Sequence, residues 1–508
     1  MSITSFRFVL FLLGVLFLYY LLPQRRRWWI LLLASLGFYF CLCAKGLVCV
    51  FITSGTAYWT AMLIEKNIAR RKIFLKENIN VLTKDQKNAY KKRVAVKNKT
   101  LLFLFVALNL LLLFSTKYWL NGVNGFVVPL GISFYTLGII GYITEVYWEN
   151  IHAENNYFKV LLFVCFFPQI IQGPISDFEQ LNTEISTEHH LSWDNLFQGI
   201  TRIIWGYFKK MCIADALAPC TEHAFLNSQS YSGLAVVITA VLFMMQMYAD
   251  FSGYMDIMCG FSKMLGISLT ENFNRPFYSK SVSEFWRRWH MTLGAWLRKY
   301  IYYPVVANQN WTTLSTNKTL DSKIPASFAV FAVWVVTGLW HNWTLSYLTW
   351  GLLNGATIII SIWTEHVCQR FRSVRVFSSN ARAANLVRML RTTLLISAFE
   401  IIAAFDTLQE GFSFLIGTFR GFSLNVGALF PYMFTIGGTR QLILAVAFVG
   451  LLAIFIDSFC KEHHVQVIHN KGSAYLLRVA LSSVALICIL SFGIESSWDA
   501  VGFMYANF

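Results

Sequence analysis

The chain has 508 residues, of which 56% are hydrophobic and 13% are charged, and its formal net charge is +16. Soluble domains carry about 25% charged residues, so this composition excludes a water-soluble fold and indicates a protein whose solvent is lipid. Basic cytoplasmic loops that meet anionic lipid explain the net charge, and we expect no nucleic-acid partner.

Long apolar runs recur along the chain, and four of them are nearly free of charge: residues 6–22, 28–43, 101–114 and 442–456. Backbone amides must be satisfied inside a bilayer, which leaves helices or closed barrels, and unbroken runs without alternation exclude the barrel. We predict an all-α, polytopic protein with roughly 11–14 membrane helices. Several runs fall short of the about 20 residues needed to span a bilayer, so some helices should be re-entrant or interfacial.

The most polar stretch, residues 65–100, is crowded with Lys and Arg. The positive-inside rule makes it a basic cytoplasmic loop, which places the N-terminus outside and residues 25–27 inside. We read the first apolar run as a retained span rather than a cleaved signal. Without repeats or linkers, the sequence predicts one multi-pass domain over residues 1–508 in the cytoplasmic membrane.

The middle of the chain, residues 129–355, differs from the ends because Pro, Gly, His, Arg, Asp and Asn interrupt its apolar sequence. A charged side chain at mid-bilayer costs roughly 3 kcal/mol or more, so such residues usually face a cavity or the protein interior. We therefore expect the catalytic core here.

The first polar motif follows a long apolar run and contains Asp250, Ser252 and Tyr254. Asp256 comes six residues after Asp250, a spacing that one straight helix would not align, and Gly253 could break the helix between them. The two acids could cap a helix, pair with an Arg cluster or line a tunnel. The next segment, residues 272–277, reads as a loop that positions Asn272, Asn274 and Arg275.

The second motif is a basic aromatic segment, residues 283–290. On a helix, Trp286, Trp289 and His290 would share one face at spacings of three and four residues. Taken alone, this pattern is more typical of an amphipathic interfacial helix with aromatic and Arg anchors. Alternatively, the segment holds the phosphate or pantetheine end of an acyl donor. The cations available for that role are Arg287, Arg288 and Arg298.

The third motif places Trp340, His341 and Asn342 at the end of an apolar run. A neutral imidazole beside polar neighbours can accept and return a proton near neutral pH, although a lone His in a span is often only a satisfied core residue. The chain has no P-loop, nucleophile elbow or HExxH motif, and its ten Cys form no zinc-like pair, so we expect no metal site.

Taken in order, six motifs resemble the membrane-bound O-acyltransferase superfamily, in particular its bacterial branch of alginate O-acetyltransferases and teichoic-acid D-alanyl transfer proteins. The motifs are Pro-Leu-Gly-Ile-Ser-Phe-Tyr at 129–135, Phe-Pro-Gln at 167–169 with Gly-Pro at 173–174, Asp-Phe-Ser-Gly-Tyr at 250–254, Asn-Phe-Asn-Arg-Pro at 272–276, Phe-Trp-Arg-Arg-Trp-His at 285–290 and Gly-Leu-Trp-His at 338–341.

The resemblance implies an α-helical membrane fold around a central funnel, with a tunnel that links a cytoplasmic donor to its acceptor. It marks His341 as catalytic and His290 as the second polar position. Two departures stand out: Asn342 follows the Trp-His pair where the family usually has Gly, and Glu400 stands where the D-alanyl branch carries a further His. The second departure mildly favours acetyl transfer.

The resulting hypothesis is transfer of an acyl group, chiefly acetyl, from a cytoplasmic thioester to a hydroxyl of an extracytoplasmic polysaccharide or cell-wall polymer. His341 would be the general base, His290 would hydrogen-bond donor or acceptor, and Asp250 would orient or pair with one of these groups. Acetyl-CoA or an acyl carrier protein would serve as substrate, with no bound cofactor. An extracytoplasmic esterase-like acetyltransferase or a carrier protein could be a partner besides the lipid bilayer. D-alanyl transfer to teichoic acid and a non-enzymatic transporter or flippase remain the alternatives.

Overall fold

The computed structural model describes residues 2–119, 128–308, 318–372, 381–420, 437–463 and 471–494. These residues form α-helices joined by short 3₁₀ and π segments, and no β-strand occurs among them; one isolated bridge joins Phe273 and Trp289. The all-α prediction is confirmed.

The helices of the first half are α1 (Phe6–Leu21), α2 (Arg27–Cys43), α3 (Leu47–Glu77), α4 (Lys84–Phe114), α5 (Ile132–Tyr147), α6 (Tyr157–Cys165), α7 (Phe167–Ile170), α8 (Phe178–Ser186), α9 (Trp193–Tyr207), α10 (Asp215–Leu226) and α11 (Leu234–Met264). Those of the second half are α12 (Val282–Arg288), α13 (Met291–Leu297), α14 (Tyr303–Val306), α15 (Lys318–His341), α16 (Leu345–Arg372), α17 (Ala381–Ala404), α18 (Leu408–Ile416), α19 (Gly437–Glu462) and α20 (Lys471–Phe492).

Seven helical segments of the described chain are long and apolar enough to cross a bilayer. They are Gln24–Glu77, Lys84–Trp119, Leu234–Met264, Lys323–His341, Leu345–Thr364, Gln441–Glu462 and Tyr475–Phe492, with a shorter apolar helix at Phe6–Leu21. The protein is therefore a multi-pass membrane protein. The predicted total of 11–14 spans stays a prediction, because one further apolar run, residues 158–175, folds as two short helices of nine and four residues.

The basic segment 65–100 is mostly helical rather than irregular, and its cytoplasmic location stays a prediction. It comprises the end of α3, a turn and the beginning of α4, where the Thr83 side chain accepts from the backbone N–H of Gln86. Lys and Arg have high helix propensity, so a basic sequence alone does not indicate a loop. After this turn the polar start of α4 continues directly into its apolar span.

The described contacts group the chain into two compact units, Met1–Gly199 with Phe261–Thr270, and Ile200–Gly260 with Glu271–Phe508. In the first unit α5 is buried on nearly every side, and the aromatic rings of α1, α2 and α7 pack together. The second unit contains every residue that the sequence analysis selects for chemistry. Whether the two units act as one membrane domain stays a prediction.

Candidate active site

Glycines set the close approach of α15 and α16 in the second unit. A Cβ on Gly338 would lie 2.6 Å from the carbonyl oxygen of Tyr347, and one on Gly351 would lie 2.5 Å from that of Trp334. Both oxygens belong to backbone that cannot move aside cheaply, so only glycine allows the two helices to touch here. This contact places the end of α15, which is His341, against the first turns of α16.

His341 is buried, with 5% of its surface exposed, and aromatic rings surround it. The ring of Tyr347 lies nearly parallel to it at a centroid distance of 6.0 Å, and that of Trp350 lies edge-on at 5.3 Å. The preceding Trp340 contributes a third ring at 4.8 Å. These contacts fix the plane of the imidazole, which is what a base in a defined geometry needs.

The second imidazole is not presented by a continuous helix, which corrects the predicted helical face. Helix α12 ends at Arg288, Trp289 is extended, and His290 adopts a left-handed backbone with φ 46°. The chain turns there because Asn272 binds the next residues: its Oδ1 accepts from both the backbone N–H and the hydroxyl of Thr292. A pattern of side-chain spacings could not show this turn.

His290 is 3% exposed, and its ring lies edge-on to Phe251 at 5.0 Å. Its Nδ1 lies 3.4 Å from Oδ1 of Asn272. In the sequence, His290 lies between the candidate spans Leu234–Met264 and Lys323–His341. Burial lowers the pKa of its imidazole to about 3. The ring is therefore neutral near neutral pH and can donate or accept a hydrogen bond without carrying charge.

Both imidazoles line one cavity of about 360 Å³. Its remaining walls are mostly aromatic and aliphatic side chains of α12, α13, α15 and α16. The exposed residues Arg287 and Ser361 also line it, so the cavity connects the two buried rings with the surface of the unit.

Three tryptophans lie together in the cavity wall: Trp286, Trp334 and Trp350. Their ring centroids are 5.1 to 5.7 Å apart and each pair is close to edge-on. The indole N–H of Trp286 donates to Oδ1 of the fully buried Asn354 at 2.8 Å, which satisfies both polar groups. The wall is consequently a rigid aromatic surface.

The structure brings several predicted residues together and separates others. Of the predicted set, Trp286, Arg287, Trp289, His290, Arg298 and His341 line the cavity, and the ring of Trp340 contacts both imidazoles, at 6.5 Å from His290. Arg288 does not line the cavity. It binds Glu284 at 2.7 Å and Glu462 at 2.9 Å, which gives it a structural ion pair.

Asp250 is held away from the cavity lining by a buried lysine that sequence reasoning missed. Nζ of Lys210 donates to Asp250 at 2.7 Å and to Asp215 at 2.8 Å, and all three side chains are at most 4% exposed. Of the alternatives left open for Asp250, an ion pair is present, and its cation is this lysine. Two adjacent lysines inside the apolar stretch after Trp205 were the available signal.

Gly253 does not interrupt α11, contrary to expectation. A Cβ there would lie 2.9 Å from the carbonyl oxygen of Gly206, so the glycine serves the close packing of α11 on α9. Within the continuous helix, Asp256 lies on another side from Asp250 and binds Arg202 at 2.9 Å and Lys209 at 2.6 Å.

The other predicted binding residues do not line the cavity. Ser252 accepts from Lys209 at 2.9 Å, and Ser252 and Asn274 line a separate polar cavity of about 980 Å³. Tyr254 is fully buried, and Asn272 acts through the His290 turn. The backbone N–H of the half-buried Asn342 donates to the carbonyl oxygen of Gly338.

Residues that the sequence analysis did not select include Trp334, Trp350 and Asn354, which lie in apolar runs. An Asn inside a span was a usable signal for Asn354, because unpaired amides are costly there. Within the described residues, no group of three or more His, Cys, Asp or Glu is placed to hold a metal ion.

The residues that line the cavity fall within the part of the chain that matches a known protein family. The model of the membrane-bound O-acyltransferase family matches residues 150–402, about half of the chain, and the match includes both imidazoles. A probable alginate O-acetylase of Azotobacter vinelandii is 38% identical over 246 residues, which are 47% of this chain and 46% of that protein. A probable alginate O-acetylase of Pseudomonas aeruginosa is 33% identical over 332 residues, 64% of this chain and 58% of that protein.

A teichoic acid D-alanyltransferase of Streptococcus thermophilus is 26% identical over 335 residues, 64% of this chain and 76% of that protein. The chain spans about half the length of the two acetylases it matches. The family match covers α12, α13, α15 and α16, which are the helices that build the cavity. On this evidence, the chain belongs to the membrane-bound O-acyltransferase family.

Proposed function

We propose that this protein is a membrane-embedded O-acyltransferase that moves an acetyl group from a thioester to a hydroxyl of an extracytoplasmic polysaccharide or cell-wall polymer. The observation that carries the proposal is the shared cavity: a buried His341 and a neutral His290 line one space that also reaches exposed residues. A base, a hydrogen-bonding partner and a route for substrates are thereby combined in one unit.

In the proposed reaction His341 removes the proton of the acceptor hydroxyl as its oxygen attacks the thioester carbon. The carbon–sulfur bond breaks, and the imidazolium returns the proton to the departing thiolate, so that an ester and a thiol are the products. Proton transfer by a positioned base is typically worth about 10²–10⁴-fold. His290, whose ring is uncharged, hydrogen-bonds the donor carbonyl or the acceptor hydroxyl.

The composition of the cavity wall favours acetyl over D-alanyl. Among the described residues that line it there is no Asp or Glu, whereas Arg287 and Arg298 are cations. A D-alanyl group carries an α-ammonium, which would enter an apolar, cationic space without an anionic partner. The acetyl group is small and uncharged and fits this lining. The higher identity to the proteins named as acetylases supports the same choice.

We infer that the donor is acetyl-CoA or an acyl carrier protein, and that Arg287 and Arg298 bind its phosphates. Arg forms strong charge-assisted bonds to phosphate, and both guanidinium groups belong to the cavity lining. The thioester then enters from the cytoplasm and the polymer lies outside. An extracytoplasmic esterase-like acetyltransferase could complete transfer to the polymer.

The same proposal places the protein in the cytoplasmic membrane with its N-terminus outside. Arg25, Arg26 and Arg27 and the basic turn between α3 and α4 would then both be cytoplasmic, as the positive-inside rule requires. Labelling of single-cysteine variants near residue 2 and near residue 80 with an impermeant reagent tests this. Labelling of the residue-80 variant in intact cells would indicate the opposite orientation, with the N-terminus in the cytoplasm.

The function is tested with protein reconstituted in vesicles, radiolabelled acetyl-CoA and a polysaccharide acceptor. Wild type should transfer label and His341→Ala should not, with equal amounts of folded protein. His463→Ala, which removes an exposed imidazole of the same unit, is the matched control and should transfer normally. Normal transfer by His341→Ala contradicts the catalytic assignment. Movement of the polymer without consumption of thioester would instead indicate a transporter.

A further inference from the structure

A second, smaller void lies against His341. It measures about 20 Å³ and is lined by eight residues, among them His341, Tyr347, Trp350 and Glu400. A space of this size holds one water molecule, provided that polar groups surround it. The imidazole thus borders the substrate cavity and also a void that a buried carboxylate shares.

Glu400 is fixed within this part of the molecule. It lies near the end of α17, is 6% exposed, and its Oε1 accepts from the indole N–H of Trp350 at 3.0 Å. The ring of that same tryptophan lies edge-on to His341. A carboxylate can accept several hydrogen bonds, so one from an indole leaves capacity for another group.

We propose that Glu400 is a positioning residue for His341 and acts through one water molecule in this void. The inference rests on the proposed function of His341 as the base. The water accepts from an N–H of the imidazole and donates to Glu400. This hydrogen bond fixes one tautomer of His341. In that tautomer the other ring nitrogen is unprotonated and faces the substrate.

The carboxylate also stabilises the charge that develops in the reaction. When His341 takes the proton of the acceptor hydroxyl it becomes an imidazolium, and the negative charge of Glu400 favours this state in a region of low dielectric. Burial raises the pKa of Glu400 to about 7, and the imidazolium that forms beside it favours the ionised carboxylate. The proton passes from the hydroxyl to His341 and then to the thiolate, so the carboxylate neither gains nor loses one.

No other described residue that lines this void has a carboxyl group that could orient His341 in place of Glu400. Titratable side chains among the eight are His341, Tyr347 and Glu400, and the rest come from Trp, Phe, Met and Ala. Tyr347 stacks on the imidazole face at 6.0 Å, with 18° between the ring planes. Glu400 is consequently the one carboxyl group among the described residues of this lining.

The test compares Glu400→Gln with Ser397→Ala, which removes a buried hydroxyl one turn earlier on the same helix and does not line the void. Glu400→Gln should lower kcat by roughly 10- to 100-fold and leave the KM for the donor unchanged. This is less than the ~10⁴-fold loss when a carboxylate that binds a catalytic His directly is neutralised. The acidic side of the kcat profile should move to lower pH, because the imidazolium loses its counter-charge. Ser397→Ala should match wild type.

A readout without turnover keeps this inference separate from the function itself. In protein labelled with ¹⁵N-histidine, His341→Gln identifies the signals of His341, whose shifts report the tautomer. Wild type should show one tautomer and Glu400→Gln a mixture. An unchanged tautomer together with an unchanged kcat and pH profile overturns the role of Glu400 alone. Normal transfer by His341→Ala would instead overturn the proposed function. If Glu400→Gln folds poorly, Glu400→Asp retains the charge and should keep the wild-type pH profile.

Discussion

The indole ring of Trp350 lies edge-on to the imidazole of His341, with 5.3 Å between the ring centroids and 85° between their planes. Because the N–H of the same indole binds Glu400, one side chain contacts the candidate base and the carboxylate behind it.

Trp350→Phe should retain the aromatic edge and lose the hydrogen bond to Glu400. Leaving a buried acceptor without its donor costs about 1–3 kcal/mol, so we expect a lower unfolding temperature together with reduced transfer. Trp363→Phe is the control, because it removes an exposed indole bond to Ser327 from the same helix and should change neither property. Equal behaviour of the two variants would contradict this prediction.

The depressed pKa of His290 predicts how stability depends on pH. In the unfolded chain this imidazole titrates near 6.5, whereas burial lowers its pKa to about 3 in the folded protein. Between these values the unfolded state binds one more proton, so this residue makes the protein less stable as the pH falls from about 6.5 toward 3. His290→Asn should therefore lose less thermal stability than wild type between pH 7 and pH 4.5.

Asn is chosen for this test because it tolerates the left-handed backbone that residue 290 adopts. Unfolding is followed in detergent by intrinsic fluorescence. If the unfolding temperatures of wild type and His290→Asn fall equally as the pH is lowered, then the His290 imidazole is protonated in the folded protein or other groups control unfolding.

Arg298 and Arg288 should behave differently although both belong to the basic aromatic segment. Arg298→Gln should raise the KM for the donor roughly 10-fold or more, since a hydrogen bond to a charged group contributes about 1.5–3 kcal/mol. Arg288→Gln should leave KM unchanged and lower stability, because its partners are Glu284 and Glu462. Steady-state kinetics with thermal unfolding separate the two, and a higher donor KM in Arg288→Gln would argue against this division.

Lys210 should be required for folding rather than for chemistry. Lys210→Met leaves Asp250 and Asp215 buried without their cation, and breaking a buried ion pair in this way costs about 3–5 kcal/mol. Asp215→Asn keeps the pair between Lys210 and Asp250, so its loss should be smaller. The yield of folded protein from membranes and its unfolding temperature provide the measurement. A well-folded Lys210→Met with normal stability would contradict the structural role.

The sequence alone determined that the protein is a helical membrane protein, and it selected His290 and His341 as the candidate imidazoles of the site. Unbroken apolar runs require lipid, and lipid permits only a self-satisfied backbone, so the helical membrane fold follows from composition and pattern. His290 and His341 stand out because polar residues in apolar sequence are costly and need a reason. The same reasoning selected Trp286, Arg287 and Arg298, which lie in the cavity wall.

Only the tertiary structure decided which of these groups meet. The turn at His290 depends on Asn272, a partner eighteen residues away, rather than on local helical spacing. The partner of Asp250 is Lys210, and the carboxylate that shares a void with His341 comes from α17. Such contacts depend on where glycines allow helices to approach, as at Gly338 and Gly351. Periodicity along one segment describes a single helix face, whereas a catalytic site requires faces of several helices at fixed distances.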